Sequence, residues 1–351
     1  MVRDEIRNLW VEAFGSSPEW IEFFFTKSYS DDQPVVGRLN ERLVSSLLLQ
    51  PYRMSFHGAE LPTAYLCGAA TYRKHRGKGY MSRLLRAAVE EARNRGYAFV
   101  TLIPAHDWLY DFYSRVGFET VFYSTADRYT AVHPFPVAGK YHDYSPLDLP
   151  TVYNAFSRFE KKIHCRILHT YNDFLNVLED FRLSKGHVAI VADETDKICS
   201  MAFAMDHDDC VVVTDMLGTD HDSQTAALRS LRRHYPDKPF KVLSPAPETE
   251  NTRVLSPRGM LYTVNVKTVL EALAKADPRW RCTLRIHDDI LPANSGIYRV
   301  KSGNVVELES ASTFDFDLSQ SVFSGMLFSS EKMGDLLGFP SQRPSMALML
   351  D

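Results

Sequence analysis

Apolar positions recur three and four residues apart at the start of the chain, which predicts two short amphipathic helices over 4–14 and 18–28. Ser17 before Pro18 marks the second start, a capping hydroxyl followed by a residue whose φ is preset for the first helical turn. The period then shortens, and 34–39, 42–50 and 60–71 read as strands, with a turn at His57-Gly58 before the last of them. A helical stripe returns over about 79–95 and ends at Gly96, and Tyr97 to Ile103 reads as a buried strand. A short helix across Trp108 to Tyr113 stops at Gly117, and a strand runs from Phe118 to about Tyr129.

After a linker at Val132 to Gly139, helices are expected over 147–160 and 171–181, then strands over 187–193, 198–206 and 210–216. A helix over 222–234 and a strand over 239–243 complete a unit that repeats the first in outline. Pro245, Pro247 and Pro257 punctuate a second boundary. The last unit reads as a strand at 260–266 and a helix at 267–274. Strands at 281–288, 295–301, 304–309 and 312–317 and short helices near 319–326 and 331–337 follow. Three domains are expected, 1–133, 134–258 and 259–351, in the mixed α/β (α+β) class. The ending Met346-Ala347-Leu348-Met349-Leu350-Asp351 is apolar, whereas a tail left in solvent is normally polar.

Composition changes this picture little. The chain has 351 residues, 45% hydrophobic and 24% charged, as ordinary globular proteins do. A net charge of −4 gives no bulk reason to expect nucleic acid or a membrane as partner. Five scattered cysteines without CxxC spacing suit a reducing compartment, and neither a signal-peptide core nor an apolar run of membrane length is present. A cytoplasmic location is expected.

Against that acidic background, Tyr65 to Thr71 is an apolar, small-residue strand that stops at Tyr72-Arg73-Lys74-His75-Arg76-Gly77-Lys78-Gly79-Tyr80-Met81 and opens directly into a helix. Amides of a first helical turn have no internal partners, and the helix dipole favours an anion there. Arg73, Lys74, Arg76 and Lys78 add positive charge at that point, so a phosphate-bearing ligand is expected. The second unit carries Thr219-Asp220-His221-Asp222 in the corresponding place.

The turn Arg76-Gly77-Lys78-Gly79-Tyr80-Met81 resembles the Arg/Gln-x-x-Gly-x-Gly/Ala motif of the GCN5-related N-acetyltransferase (GNAT) superfamily, with Met81 where a small residue is usual. Tyr113-Ser114-Arg115-Val116-Gly117-Phe118 resembles its Tyr-x-x-x-Gly-Phe signature, in the family's order. Two such units followed by an α+β unit resemble the Eis-like (enhanced intracellular survival) branch. The run Asp288-x-x-x-Pro292-x-Asn294-x-Gly296-x-Tyr298 is similar to its sterol-carrier-protein-like third domain.

The resemblance implies two tandem GNAT-like mixed-sheet domains plus a sterol-carrier-protein-like α+β domain, commonly in an oligomer. It implies transfer of acetyl from acetyl-CoA to a primary amine, in a small polyamine-like or aminoglycoside-like acceptor or a lysine. Pantetheine would pair with the strand at Ala69, Ala70 and Thr71, and pyrophosphate would sit on Arg76, Gly77, Lys78, Gly79, Tyr80 and Met81. Tyr113 would be the general acid, and the carboxylate of Asp351 at the chain end the general base, where the family usually has an aromatic residue. A lipid-binding protein with a vestigial transferase domain is the alternative.

Other constellations imply less. His164, Cys165 and His169 fit no compact tetrahedral metal pattern, so no metal is expected. His207 to Cys210 reads as a hairpin turn and Asp107 as an N-cap. Trp10, Trp20, Phe23, Phe24 and Phe25 read mainly as core, and the helices that carry them flank the acceptor channel in the superfamily.

Overall fold

A computed structural model describes residues 2–145, 148–245, 254–328 and 344–350. The first unit comprises α1 (Val2–Phe14), α2 (Pro18–Lys27), β1 (Pro34–Leu39), β2 (Arg42–Phe56) and β3 (Ala59–Thr71). It continues with α3 (Tyr80–Asn94), β4 (Phe99–Leu102), α4 (Trp108–Ser114) and β5 (Glu119–Tyr129). The second comprises β6 (Tyr141–Asp143), α5 (Leu149–Glu160), β7 (Ile167–Leu168), α6 (Tyr171–Leu183), β8 (His187–Asp193) and β9 (Ile198–Asp206). β10 (Val211–Gly218), α7 (His221–His234) and β11 (Phe240–Pro245) complete it. The remainder is β12 (Ser256–Thr263), α8 (Val266–Ala276), β13 (Cys282–His287), β14 (Gly296–Lys301), β15 (Asn304–Leu308), β16 (Phe316–Ser319) and α9 (Gln320–Leu327). The helix expected at 331–337 lies outside the described residues.

The two units share one sheet, ordered β1-β2-β3-β4-β12-β5-β11-β10-β9-β8-β6 among the described residues. β12 corrects one expectation. Read as opening the last unit, it instead lies between β4 and β5, with Met260 opposite Leu102 and Leu261 opposite Thr101 and Glu119. Its Leu261 and Tyr262 are fully buried, as a central strand covered on both faces requires. β13 to β16 form a separate four-stranded sheet.

On α3, Leu84, Leu85, Ala88, Val89 and Ala92 form one buried stripe against β2, β3, β4 and β12. The opposite face of that half of the sheet packs on α1, α2, α8 and α9. The Asp288–Tyr298 run is a structural tie. Asp288 Oδ1 accepts from Tyr262 Oη at 2.6 Å and from the Leu291 amide at 2.8 Å. Asn294 Oδ1 accepts from Arg93 of α3 at 2.8 Å, while its Nδ2 donates to Thr263 O at 2.9 Å. The last turn of α3 is thereby bound to the C-terminal unit.

Candidate active site

β3 and β4 run parallel but pair only at Thr63–Phe99, Ala64–Val100 and Tyr65–Thr101. Beyond Tyr65, β3 continues to Thr71 against β2 alone, and a wedge opens between it and the chain after β4. In the β2 register Leu48 faces Cys67 and Ser46 faces Ala70, so Gly68 and Ala69 together oppose Leu47 in a β-bulge. Gly68 has φ +60°, and a Cβ there would lie 1.9 Å from the Trp10 indole. Glycine is required twice over, by the backbone conformation and by the ring laid against it.

The wedge is a cavity of about 360 Å³. Leu66 to Ala69 form one wall, Ile103, Ala105 and Leu109 another, and Trp10, Phe14 and Trp20 the aromatic side. Tyr113 and Leu350 complete it. Among the N-terminal aromatics, Trp10 and Trp20 thus line the cavity, whereas Phe24 and Phe25 are buried in the core. A second cavity of about 420 Å³ shares Ser16, Trp20 and Ile103 and extends over Asp180, Met205, Arg258 and Ala347 to Met349. Asp180 accepts from Trp20 Nε1 at 2.7 Å, and burial raises its pKa.

At the open end of β3, Arg73–His75 forms one 3-10 turn, with the Arg73 amide on Glu12 at 2.8 Å. Gly77 and Gly79 have φ +72° and +74°, and a Cβ at either would meet no atom within 4 Å. The protein itself leaves that space open. Gly79 is the N-cap of α3 and gives it no side-chain cap, so the first-turn amides face outward. Arg76 Nε donates to Thr71 O at 3.0 Å and Lys78 Nζ to Lys74 O at 3.1 Å, so both cations are folded around the turn on carbonyls. Tyr80 and Met81 begin the helix, and Met81 packs partly onto its core. An uncapped start, empty space over two glycines and cations fit a pyrophosphate.

Tyr113 is 7% exposed. Gly117, at φ +86°, ends α4 and lets the Phe118 amide return to Tyr113 O at 3.3 Å, which fixes the tyrosine's backbone. Burial alone pushes its phenol above the ordinary tyrosine value, up to about 12. It therefore stays protonated throughout the neutral range, at the cost of being a weaker acid. Asp107 precedes α4 as expected but makes no side-chain cap.

The tail docks as its apolarity suggested. Met346, Leu348, Met349 and Leu350 are buried, Gly259 leaves room for the Met346 methyl, and Leu350 reaches the cavity. Asp351 lies outside the described residues.

The sequence reading missed the buried cluster beneath this tail. Arg166, 1% exposed, pairs with Glu160 at 3.1 Å and with Asp215, and His169 Nδ1 lies 2.9 Å from Glu160. His164-Cys165-Arg166-x-x-His169 signals charge near a core segment, but only the fold brings Asp215 to it. Among the described residues no metal-type cluster occurs.

Residues 3–121 match the acetyltransferase (GNAT) domain family, so the first unit is an acyl-CoA-dependent N-acyltransferase domain. No curated protein matches the sequence significantly. Among solved structures, the chain is similar to a probable N-acyltransferase from Enterococcus faecalis, at TM-score 0.79 and 17% identity over 98% of this chain and 96% of that one. A GCN5-related N-acetyltransferase from Anabaena variabilis gives 0.76 and 15% over 98% and 96%. Eis1 from Mycobacterium abscessus gives 0.72 and 12% over 97% and 91%. At these identities the likeness establishes the fold, two tandem GNAT-like units, along nearly the whole chain.

Proposed function

We propose that the protein transfers the acetyl group of acetyl-CoA to a primary amine, a small polyamine-like or aminoglycoside-like molecule or a lysine. The observation that carries this reading is the uncapped start of α3, which follows the end of β3, together with the cavity that β3 shares with Tyr113. Arg76, Gly77, Lys78, Gly79, Tyr80 and Met81 would hold the pyrophosphate, and Ala69, Ala70 and Thr71, beyond the reach of β4, would offer backbone groups to the pantetheine arm. Acetyl-CoA supplies the activated thioester when bound.

Tyr113 Oη carries the proton that a departing thiolate needs, and its buried phenol keeps that proton until it is used. Asp351, next in the chain after the cavity-lining Leu350, would take the proton that the ammonium must lose before its nitrogen attacks. The part of the chain that follows β12, with its separate sheet β13–β16, would be the sterol-carrier-protein-like unit, and its role would be to deliver the tail.

The test is thiol release from acetyl-CoA against a panel of diamines, aminoglycosides and lysine peptides. Amine-dependent release that is lost in Tyr113→Phe supports the reading. Acetyl-CoA binding with no amine-dependent release from any of them would contradict it.

A further inference from the structure

The cluster beneath the tail has a hydrogen-bonding pattern that points outward, to residues 345–348. His169 Nδ1 faces Glu160 Oε1 at 2.9 Å, and its Nε2 faces the Leu348 carbonyl at 3.2 Å. Both partners can only accept, so an imidazole with a proton on each nitrogen satisfies both, and a neutral ring satisfies one. The Glu160 carboxylate beside it, which also accepts from the His169 amide at 3.1 Å, favours that charged form. Arg166 divides its guanidinium between Glu160, Asp215 and Ser345 Oγ, the last at 3.2 Å. Backbone bonds reinforce this: the Ile167 amide donates to Ser345 O at 3.1 Å, and the Ser345 amide to Cys165 O at 2.9 Å.

Two cations and two carboxylates thus close a neutral, solvent-excluded group whose spare donors are spent on the tail. A buried ionic group of this kind is seldom a net source of stability, but it fixes one geometry, because any slip leaves a charge unpaired. The geometry it fixes is that of 345–348, two residues short of the cavity that contains Tyr113. We propose that His169 and Arg166 are positioning residues for acyl transfer, holding the tail so that Leu350 and the carboxylate after it are presented to the Tyr113 cavity. This rests on the reading of Asp351 as the base, and the test separates the two.

His169→Asn retains a nitrogen where Nδ1 meets Glu160 but loses the donor to Leu348, whereas His169→Gln retains a donor where Nε2 stood. The expected result for His169→Asn is faster amide exchange across 345–350 and kcat lower by roughly ten- to a hundredfold with KM for acetyl-CoA unchanged. His169→Gln should restore both to within about twofold. Should His169→Asn not fold, Ser345→Ala removes one donor target of Arg166 and should shift tail exchange in the same direction.

Unchanged tail exchange in a folded His169→Asn, or a defect that His169→Gln fails to restore, would overturn the clamp. Faster exchange with unchanged turnover would leave a tail contact without a part in acyl transfer, which overturns the positioning role and counts against Asp351 as the base.

Discussion

The molecule contains the same strand–helix–strand unit twice, and the copies differ at two places. In the first, β3, α3 and β4 surround a helix start capped by Gly79 with no side-chain acceptor. In the second, β10 and β11 pair in parallel only at Val211–Phe240, Val212–Lys241 and Val213–Val242, and α7 begins between them. There Asp220 accepts from the Ser223 amide at 2.8 Å in a capping box. That amide and the Thr219 hydroxyl hold its carboxyl below the usual carboxylate range.

The wedges differ as the helix starts do. The first holds about 360 Å³, and the second, lined by Thr214, Asp215, Leu243, Ser244 and 344–347, holds about 30 Å³. One copy leaves its helix start without a side-chain cap and its sheet open. The other fills both places with the chain's own carboxylate and tail, which is why a second coenzyme site is not expected there.

Of the ways to break this contrast, Tyr113→Phe should act most strongly. Removing the proton from the open wedge should lower kcat by about 10²–10³-fold while acetyl-CoA affinity changes less than about twofold, read by steady-state kinetics and titration. Because burial pushes the phenol up to about 12, the pH–rate profile of the unaltered protein should show no descending limb from it near pH 10, where an ordinary tyrosine ionises. A limb there that vanishes in Tyr113→Phe would show the phenol less shielded than the cavity implies.

Gly68→Ala should close the wedge by forcing Trp10 off the bulge. Strain at positive φ together with that collision should cost about 2–4 kcal/mol in denaturant unfolding, and a loss below about 0.5 kcal/mol would mean the ring moves freely. Asp220→Ala is the mildest change. It should cost about 1 kcal/mol of stability, measured the same way, and create no coenzyme site, because the tail still fills the second wedge.

Much of this was legible in residue patterns. The helix of 80–94 and the strands at 34–39, 187–193 and 198–206 fall where periodicity puts them, since each has a local signal strong enough to decide it. Short β6 and β7 carry no periodicity and were not anticipated. The misassignment of β12 has a different cause: its sequence reads correctly as a buried strand, but which sheet it enters is a long-range choice. The candidate site divides in the same way. Gly77, Gly79, Tyr113 and Gly117 announce themselves by spacing within a few residues, and so does the docking of an apolar tail. The pairing of Trp10 with Gly68, the raised phenol of Tyr113 and the Arg166–Asp215 pair depend on contacts across 58 or 49 positions or on burial, which no local pattern encodes.

Titration of acetyl-CoA into the unaltered protein and into Gly79→Asp decides whether the uncapped start of α3 makes the first copy the coenzyme site. The variant gives α3 the cap chemistry of α7, so the unaltered protein should bind one acetyl-CoA per chain and the variant should bind about a hundredfold more weakly. Equal affinity in Gly79→Asp, or two equivalents bound per chain, would contradict the account.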